Sequence, residues 1–138
     1  MKADSILLRQ VHPNFFPGEQ LSSQAFFPFP KDKGKLSVYD GLLISPAQSF
    51  EHYTRKQGLE SVGVWGISDA EVIETGLTSK PDPLPDSPAH AFVDFSNAST
   101  KEYRKLAKIL KAFAIARGCL YSRKSTNPTI FSKIPAEN

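Results

Sequence analysis

Three helix starts, each followed by a glycine, constrain the fold of this chain more than any other feature. The pattern Ser-x-x-Gln begins at Ser45, and Ser-x-x-Glu begins at Ser68 and Ser99. In this capping box the two side chains satisfy the first free backbone N–H groups of a helix. Glycines stand where such helices would end: Gly58, Gly76 and Gly118. The pattern predicts three helices, the last and longest over residues 100–117.

The segments around these helices have the composition of short strands. Strand-like runs are predicted at residues 5–11, 24–27, 36–39, 61–67, 91–95 and 119–121. Residues 80–88 contain four prolines and are predicted to form an extended surface connection. The first forty residues contain no helix that could connect parallel strands. The predicted fold class is therefore α+β, a mixed or antiparallel sheet with about three helices mostly on one face.

Length and composition predict one folded domain. The chain has 138 residues, of which 40% are hydrophobic and 22% charged, as in ordinary globular proteins. We expect a domain over residues 1–122 and a polar C-terminal tail over residues 123–138. No apolar run is long enough to span a bilayer, and the N-terminus is too short and polar for a signal peptide. These features predict a cytoplasmic protein with no membrane contact.

The sequence offers no pattern for a metal or a cofactor. Cys119 is the single cysteine, and the three histidines have no metal-ligand spacing. The glycines match neither the P-loop nor the dinucleotide-binding pattern. We therefore predict no metal and no cofactor.

The charge is divided unevenly along the chain. Residues 1–98 hold 8 Lys and Arg against 12 Asp and Glu, whereas residues 99–138 hold 9 against 2. The basic residues of the last helix and the segment after it are candidates for contact with a partner: Lys101, Arg104, Lys105, Lys108, Lys111, Arg123 and Lys124. Such a face could follow a phosphate backbone, dock an acidic protein partner, or be an ordinary solvated helix face.

Residues 9–41 are rich in aromatic residues and proline, and Arg9 interrupts an apolar strand within them. An arginine in such a place is rarely buried without a partner. A carboxylate such as Asp40 or Asp94 would make Arg9 structural. Without that partner, Arg9 would be free to hold a phosphate or a carboxylate of a ligand.

His12 and His90 are the candidate acid–base residues. His12 ends a predicted strand and His90 begins one. With Asp40 or Asp94 to orient it, either imidazole could be a general base. The alternative is that each is half-buried and bonds a loop carbonyl. The candidate catalytic set is Arg9, His12, Asp40, His90 and Asp94.

Five short motifs follow one another along the chain in an order that is similar to that of a known family. RQVHPNFF, SSQAFFPFPKDKGKLSVYDG, SVGVWGI, HAFVDFS and ARGCLY together resemble a family of small uncharacterised bacterial proteins, over residues 7–121. The resemblance implies a free-standing bacterial protein from an accessory locus of the defence or mobile-element kind. It implies no catalytic residue and no substrate.

Three functions follow as expectations. The first is a small accessory or binding protein that contacts a partner through residues 9–41 and the basic last helix. The second is a small enzyme acting on a nucleotide or nucleic acid, with His12 and His90 in acid–base roles and Arg9 on a phosphate. The third is a nucleic-acid binder that uses the basic face of residues 101–124. The enzyme of the second hypothesis would require Arg9, His12 and His90 to meet in one pocket.

Overall fold

The chain folds around one five-stranded antiparallel sheet. The structure is a computed structural model that describes residues 1–123. The strands are β1 Ile6–Val11, β2 Lys35–Asp40, β3 Gly63–Ser68, β4 Thr78–Pro81 and β5 His90–Asp94, in the spatial order β3-β1-β2-β5-β4. All four pairings are antiparallel. The predicted α+β class is confirmed, and the sheet is antiparallel rather than mixed.

The three predicted helix starts are also confirmed. The helices are α1 Pro46–Glu51, α2 Asp69–Glu74 and α3 Thr100–Arg117, and α1 continues into a π-helical turn, His52–Lys56. At each start the Gln or Glu side chain accepts a hydrogen bond from the backbone N–H of the capping serine, at 2.8–3.0 Å. Gly76 and Gly118 follow α2 and α3 with positive φ values of +90° and +91°, which glycine tolerates better than other residues.

The two faces of the sheet are covered unequally. Alternate strand residues such as Leu7 and Val93 point into the main core, which α2, α3 and the 3-10 helix Ser23–Phe26 close. α1 covers part of the other face, where Phe50 packs near Leu8 and Tyr39. The helices therefore lie mostly on one face, as predicted.

The prediction of a strand at residues 24–27 is wrong. The chain forms the 3-10 helix Ser23–Phe26, capped by the Ser22 hydroxyl, which accepts from Gln24 N at 3.1 Å. Ala25 and Phe26 are both fully buried. A strand would direct successive side chains to opposite faces, whereas the tight helical turn lets both neighbours pack inward.

Two other segments differ from the prediction. Thr78–Pro81 forms β4, an edge strand on β5, where residues 80–88 were predicted to be only a connection. The sequence of β4 lacks the apolar alternation of a strand, because an edge strand tolerates polar residues and proline. The predicted strand at 119–121 is reduced to one bridge between Val64 and Tyr121.

A bidentate ion pair joins α2 to α3. Arg117 donates from Nη1 to Glu71 Oε1 at 2.8 Å and from Nη2 to Oε2 at 3.0 Å. Burial by itself would raise the pKa of Glu71, but hydrogen bonds from Arg117 and Ser68 outweigh it and lower that pKa below its ordinary value. Arg117 thus has a structural partner.

Two predictions concern the chain as a whole. No helix within residues 1–123 is long and apolar enough to cross a membrane. The predicted C-terminal tail, residues 123–138, lies outside the described residues except for Arg123.

Candidate functional site

The centre of the candidate site is a gap in the sheet that Arg9 fills. β1 pairs with β3 along its whole length, but its register with β2 covers only Leu7 with Asp40 and Leu8 with Tyr39. Arg9 follows immediately. Its Nε donates to the Ala25 carbonyl at 2.7 Å, and its Nη1 donates to the Ser37 carbonyl at 2.8 Å. The guanidinium therefore links β1 to β2 and to the 3-10 helix where the strand ladder stops.

The positive charge of Arg9 has no ion-pair partner within residues 1–123. Two of its five N–H groups make the bonds to carbonyls, and the other three have no partner in that part of the chain. Burial lowers the pKa of Arg9, although Tyr53 and Asp32 act in the opposite direction. The guanidinium stays charged at neutral pH, because the pKa of arginine starts far above it.

Arg9 opens on a cavity of about 290 Å³. Its polar lining comes from β1, β2, β5 and the region around the π-helical turn: Arg9, Gln10, Ser37, Tyr39, Tyr53, Gln57 and His90. Apolar side chains, among them Leu8 and Leu84, complete the wall. A partly enclosed space with a few convergent polar groups is the usual form of a small-molecule site.

His90 is held in this cavity by contacts on both ring nitrogens. Its Nδ1 lies 3.0 Å from the Asp82 carbonyl and 3.3 Å from Asp82 Oδ2, and its Nε2 lies 3.2 Å from Ser37 Oγ. The backbone adds a fourth contact, because Asp82 N donates to the His90 carbonyl at 2.9 Å. The imidazole is thus fixed between β2 and the end of β4.

A second chain of hydrogen bonds holds the neighbouring tyrosine. Tyr39 Oη lies 2.9 Å from His52 Nδ1, and His52 Nε2 lies 2.7 Å from the Asp86 carbonyl. Because a carbonyl only accepts, Nε2 carries the proton and Nδ1 of the neutral ring accepts from the tyrosine. Burial, with smaller effects of Tyr53 and Asp86, raises the pKa of Tyr39 to about 12. Tyr39 therefore stays neutral and rigid in the wall.

The structure brings together Arg9 and His90 from the predicted set and places the other three elsewhere. His12 caps a 3-10 turn, where its Nδ1 accepts from Asn14 N at 3.0 Å, and its Nε2 lies 3.3 Å from Glu60. Asp40 Oδ1 accepts from Leu42 N at 2.9 Å.

Asp94 does not reach Arg9 either. It accepts from Ser96 N at 2.9 Å and lies 3.4 Å from Lys80 Nζ. Hydrogen bonds from Ser96 lower the pKa of Asp94, with a smaller contribution from Lys80. Neither aspartate is the partner that the sequence suggested for Arg9 or for a histidine.

Sequence reasoning missed Ser37, Asp82 and the two tyrosines of the cavity. Ser37 is the exposed polar residue of an alternating strand, which is normally only a solvated position. Asp82 stands between two prolines in the segment predicted to be a connection. Only the pairings of β2 and β4 with β5 bring Ser37 and Asp82 to His90.

The basic face of α3 forms a second, shallower surface. A groove of about 670 Å³ is lined by Lys101, Arg104, Lys105 and Lys108 above Ile109, Ala112 and Phe113. A neighbouring groove of about 400 Å³ shares Lys105, Ile109 and Phe113 and is bordered by Glu74 and Glu102. The apolar seam of Ile109 and Phe113 thus lies between a basic border and an acidic border. The basic border is Lys101, Arg104 and Lys108, and the acidic border is Glu74 and Glu102.

Lys111 and Arg123, two further predicted contact residues, do not line this groove. Lys111 is half-buried. Arg123 lies over the Phe50 ring, 5.1 Å from its centroid, and 3.9 Å from Glu51. Lys124 lies outside the described residues.

Within residues 1–123 no group of His, Cys, Asp and Glu side chains has the arrangement of a metal site.

Comparison with known proteins gives no relative: no protein-family model, no curated protein and no solved structure matches this chain.

Proposed function

We propose that this protein binds a small carboxylate-bearing ligand in the cavity of Arg9. The observation that carries the proposal is a partly buried guanidinium with three unused N–H donors and no carboxylate partner among the described residues. Withdrawing such a charge from water is costly unless something pairs with it. A ligand carboxylate would supply that partner through two parallel charge-assisted hydrogen bonds.

The size and lining of the cavity limit the ligand. A volume of about 290 Å³ is at the small end of the range for ligand pockets, so the ligand has on the order of ten heavy atoms or fewer. Tyr39 and Tyr53 offer aromatic surface, and Gln57 offers a further amide. These features favour a small aromatic or aliphatic acid over a dinucleotide or a nucleic-acid chain.

Titration with benzoate tests the proposal, with benzamide as the uncharged analogue of the same shape. We expect benzoate to bind at least about tenfold more tightly, because only the carboxylate neutralises Arg9. Isothermal titration calorimetry measures both constants. Equal affinities, or no binding of benzoate at millimolar concentration, would contradict a carboxylate site.

A second proposal concerns the grooves of α3. We infer that they dock an amphipathic, acidic helical segment of a partner protein. The apolar seam of Ile109 and Phe113 matches an apolar helix face, and Lys101, Arg104 and Lys108 match its acidic border. Glu74 and Glu102 on the other border would repel a phosphate backbone.

Charge reversal tests this docking surface. We expect the double variant Lys105→Glu with Lys108→Glu to weaken binding of an amphipathic Leu/Ala/Glu helical peptide at least about tenfold. The matched control reverses two exposed lysines elsewhere, Lys2→Glu with Lys56→Glu. Fluorescence anisotropy measures both. Equal binding of a Leu/Ala/Lys peptide, or tighter binding of a single-stranded DNA oligonucleotide, would overturn the protein-partner proposal.

The cellular setting stays a prediction. The resemblance to small bacterial proteins and the partner-binding surface together support an accessory protein of a defence or mobile-element operon, acting in the cytoplasm. Residues 9–41 contribute Arg9, Ser37 and Tyr39 to the cavity, so in this proposal they hold a small ligand rather than a protein partner.

A further inference from the structure

Ser37 and His90 share a hydrogen bond at the wall of the Arg9 cavity, and the Asp82 carboxylate lies behind His90. His90 Nε2 lies 3.2 Å from Ser37 Oγ, and His90 Nδ1 lies 3.3 Å from Asp82 Oδ2. The three residues come from β2, from β5 and from the segment after β4. A hydroxyl, an imidazole and a carboxylate in this order are the arrangement that activates a serine nucleophile.

The proton positions follow from the partners. His90 Nδ1 also lies 3.0 Å from the Asp82 carbonyl, which can only accept, so Nδ1 carries the proton in the neutral ring. Nε2 is then the basic nitrogen, and it faces the hydroxyl of Ser37. This tautomer is the one that a general base toward Ser37 requires.

The serine is accessible and the histidine is sheltered. Ser37 is exposed, whereas the His90 side chain is 18% exposed and braced by Asp82 from behind. Arg9 donates to the carbonyl of Ser37 itself, so its positive charge lies within one residue of the hydroxyl. Negative charge that forms on a substrate beside Ser37 would be stabilised there, as in an oxyanion site.

We propose that Ser37 is a nucleophile with His90 as its general base, that Asp82 is a positioning residue, and that the site hydrolyses small carboxylic esters. The inference rests on the proposed function, because the carboxylate that Arg9 binds is then the acid product of the reaction. The substrate class is an ester with a small acyl group that fits about 290 Å³.

The reaction takes place in two steps, with water as the second reactant. Ser37 Oγ attacks the ester carbonyl and its proton passes to His90 Nε2. The bond between the acyl carbon and the alcohol oxygen breaks, and His90 returns the proton to the leaving alcohol. Water then attacks the acyl-serine and loses a proton to His90. The bond to Ser37 Oγ breaks, and the serine recovers that proton as the carboxylic acid leaves.

A fluorescent fluorophosphonate tests the nucleophile, because an activated serine displaces fluoride and keeps the phosphonyl group. We expect labelling of the wild-type chain at Ser37, located by peptide mass spectrometry, and none in Ser37→Ala. Ser23→Ala, which changes a half-buried serine outside the cavity, should label as wild type. His90→Asn keeps a donor near the Nδ1 position but has no base toward Ser37, so labelling should slow at least about 100-fold.

Hydrolysis of p-nitrophenyl acetate tests the positioning role. Asp82→Asn should lower kcat about tenfold or more with KM unchanged, because the imidazole loses its orienting carboxylate while the cavity stays the same. A melting temperature within about 2 °C of wild type establishes that the variant is folded. A change in KM alone would overturn this role for Asp82.

Benzoate titration separates this inference from the proposed function. Ser37→Ala should lose labelling but keep benzoate affinity within about tenfold of wild type, because Arg9, which pairs with the carboxylate, is intact even though Ser37 lines the cavity. If the wild-type chain binds benzoate but is not labelled, or is labelled equally in Ser37→Ala, hydrolysis is wrong and the binding site stands. If Ser37 is labelled but benzoate does not bind, the assignment of the acid product to Arg9 is wrong.

Discussion

Replacing Arg9 with methionine is expected to abolish benzoate binding and to lower the free energy of unfolding by about 1–3 kcal/mol. The binding loss should exceed about 100-fold, since the charge that pairs with the carboxylate is gone. The Ala25 and Ser37 carbonyls lose their donors. The stability cost is moderate, because methionine also removes a charge that burial disfavours and fills part of the gap.

Two further variants make this prediction sharp. Arg9→Lys keeps a positive charge but lacks the planar fork that reaches both carbonyls, so it should bind benzoate weakly and lose stability. Arg55→Met is the matched control. The Arg55 side chain is 78% exposed and pairs with Glu51 on the helix surface, so its loss should cost less than about 0.5 kcal/mol. Calorimetric titration and urea unfolding measure both quantities. Benzoate binding that survives in Arg9→Met would exclude Arg9 as the anchor.

Replacing Phe26 with alanine is expected to cost about 3–5 kcal/mol of unfolding free energy. Phe26 is fully buried in the core between the sheet and α3, and the 3-10 helix that carries it has no strand ladder to hold it in place. In a domain of ordinary stability, the cavity left by the phenylalanine ring would remove a large fraction of the total free energy of unfolding. Leu43→Ala is the control, since Leu43 is 67% exposed and should change stability by less than about 0.5 kcal/mol.

The Phe26 variant should also weaken benzoate binding. The Ala25 carbonyl, one residue away, accepts from Arg9 Nε. A loosened 3-10 helix would leave the guanidinium less firmly oriented, so affinity should fall several-fold before the domain unfolds. Urea unfolding and calorimetry on folded protein measure the two effects separately. A cost below about 1 kcal/mol would show that the 3-10 helix does not seal the core.

The sequence by itself determined the helices and most strands, because their signals are local. The capping side chain stands three residues from its serine, so neither Ser68 nor Ser99 needs the rest of the fold to begin a helix. Alternation at residues 36–39 likewise needs no partner to be read. At residues 24–27 the local signal predicts a strand, but the packing of both Ala25 and Phe26 into the core favours a 3-10 helix.

The candidate site was decided by the tertiary structure. Arg9 stood out in the sequence because a charge in an apolar strand demands a partner, and its partners are two carbonyls 16 and 28 residues away. His12 and His90 have similar sequence positions, each at the end of a predicted strand. In the structure His12 caps a turn, whereas strand pairing places His90 at the cavity wall beside Ser37 and Asp82. Strand register is set by the burial of side chains from distant segments. That is why the chain alone identified Arg9 and His90 but could not assemble the site around them.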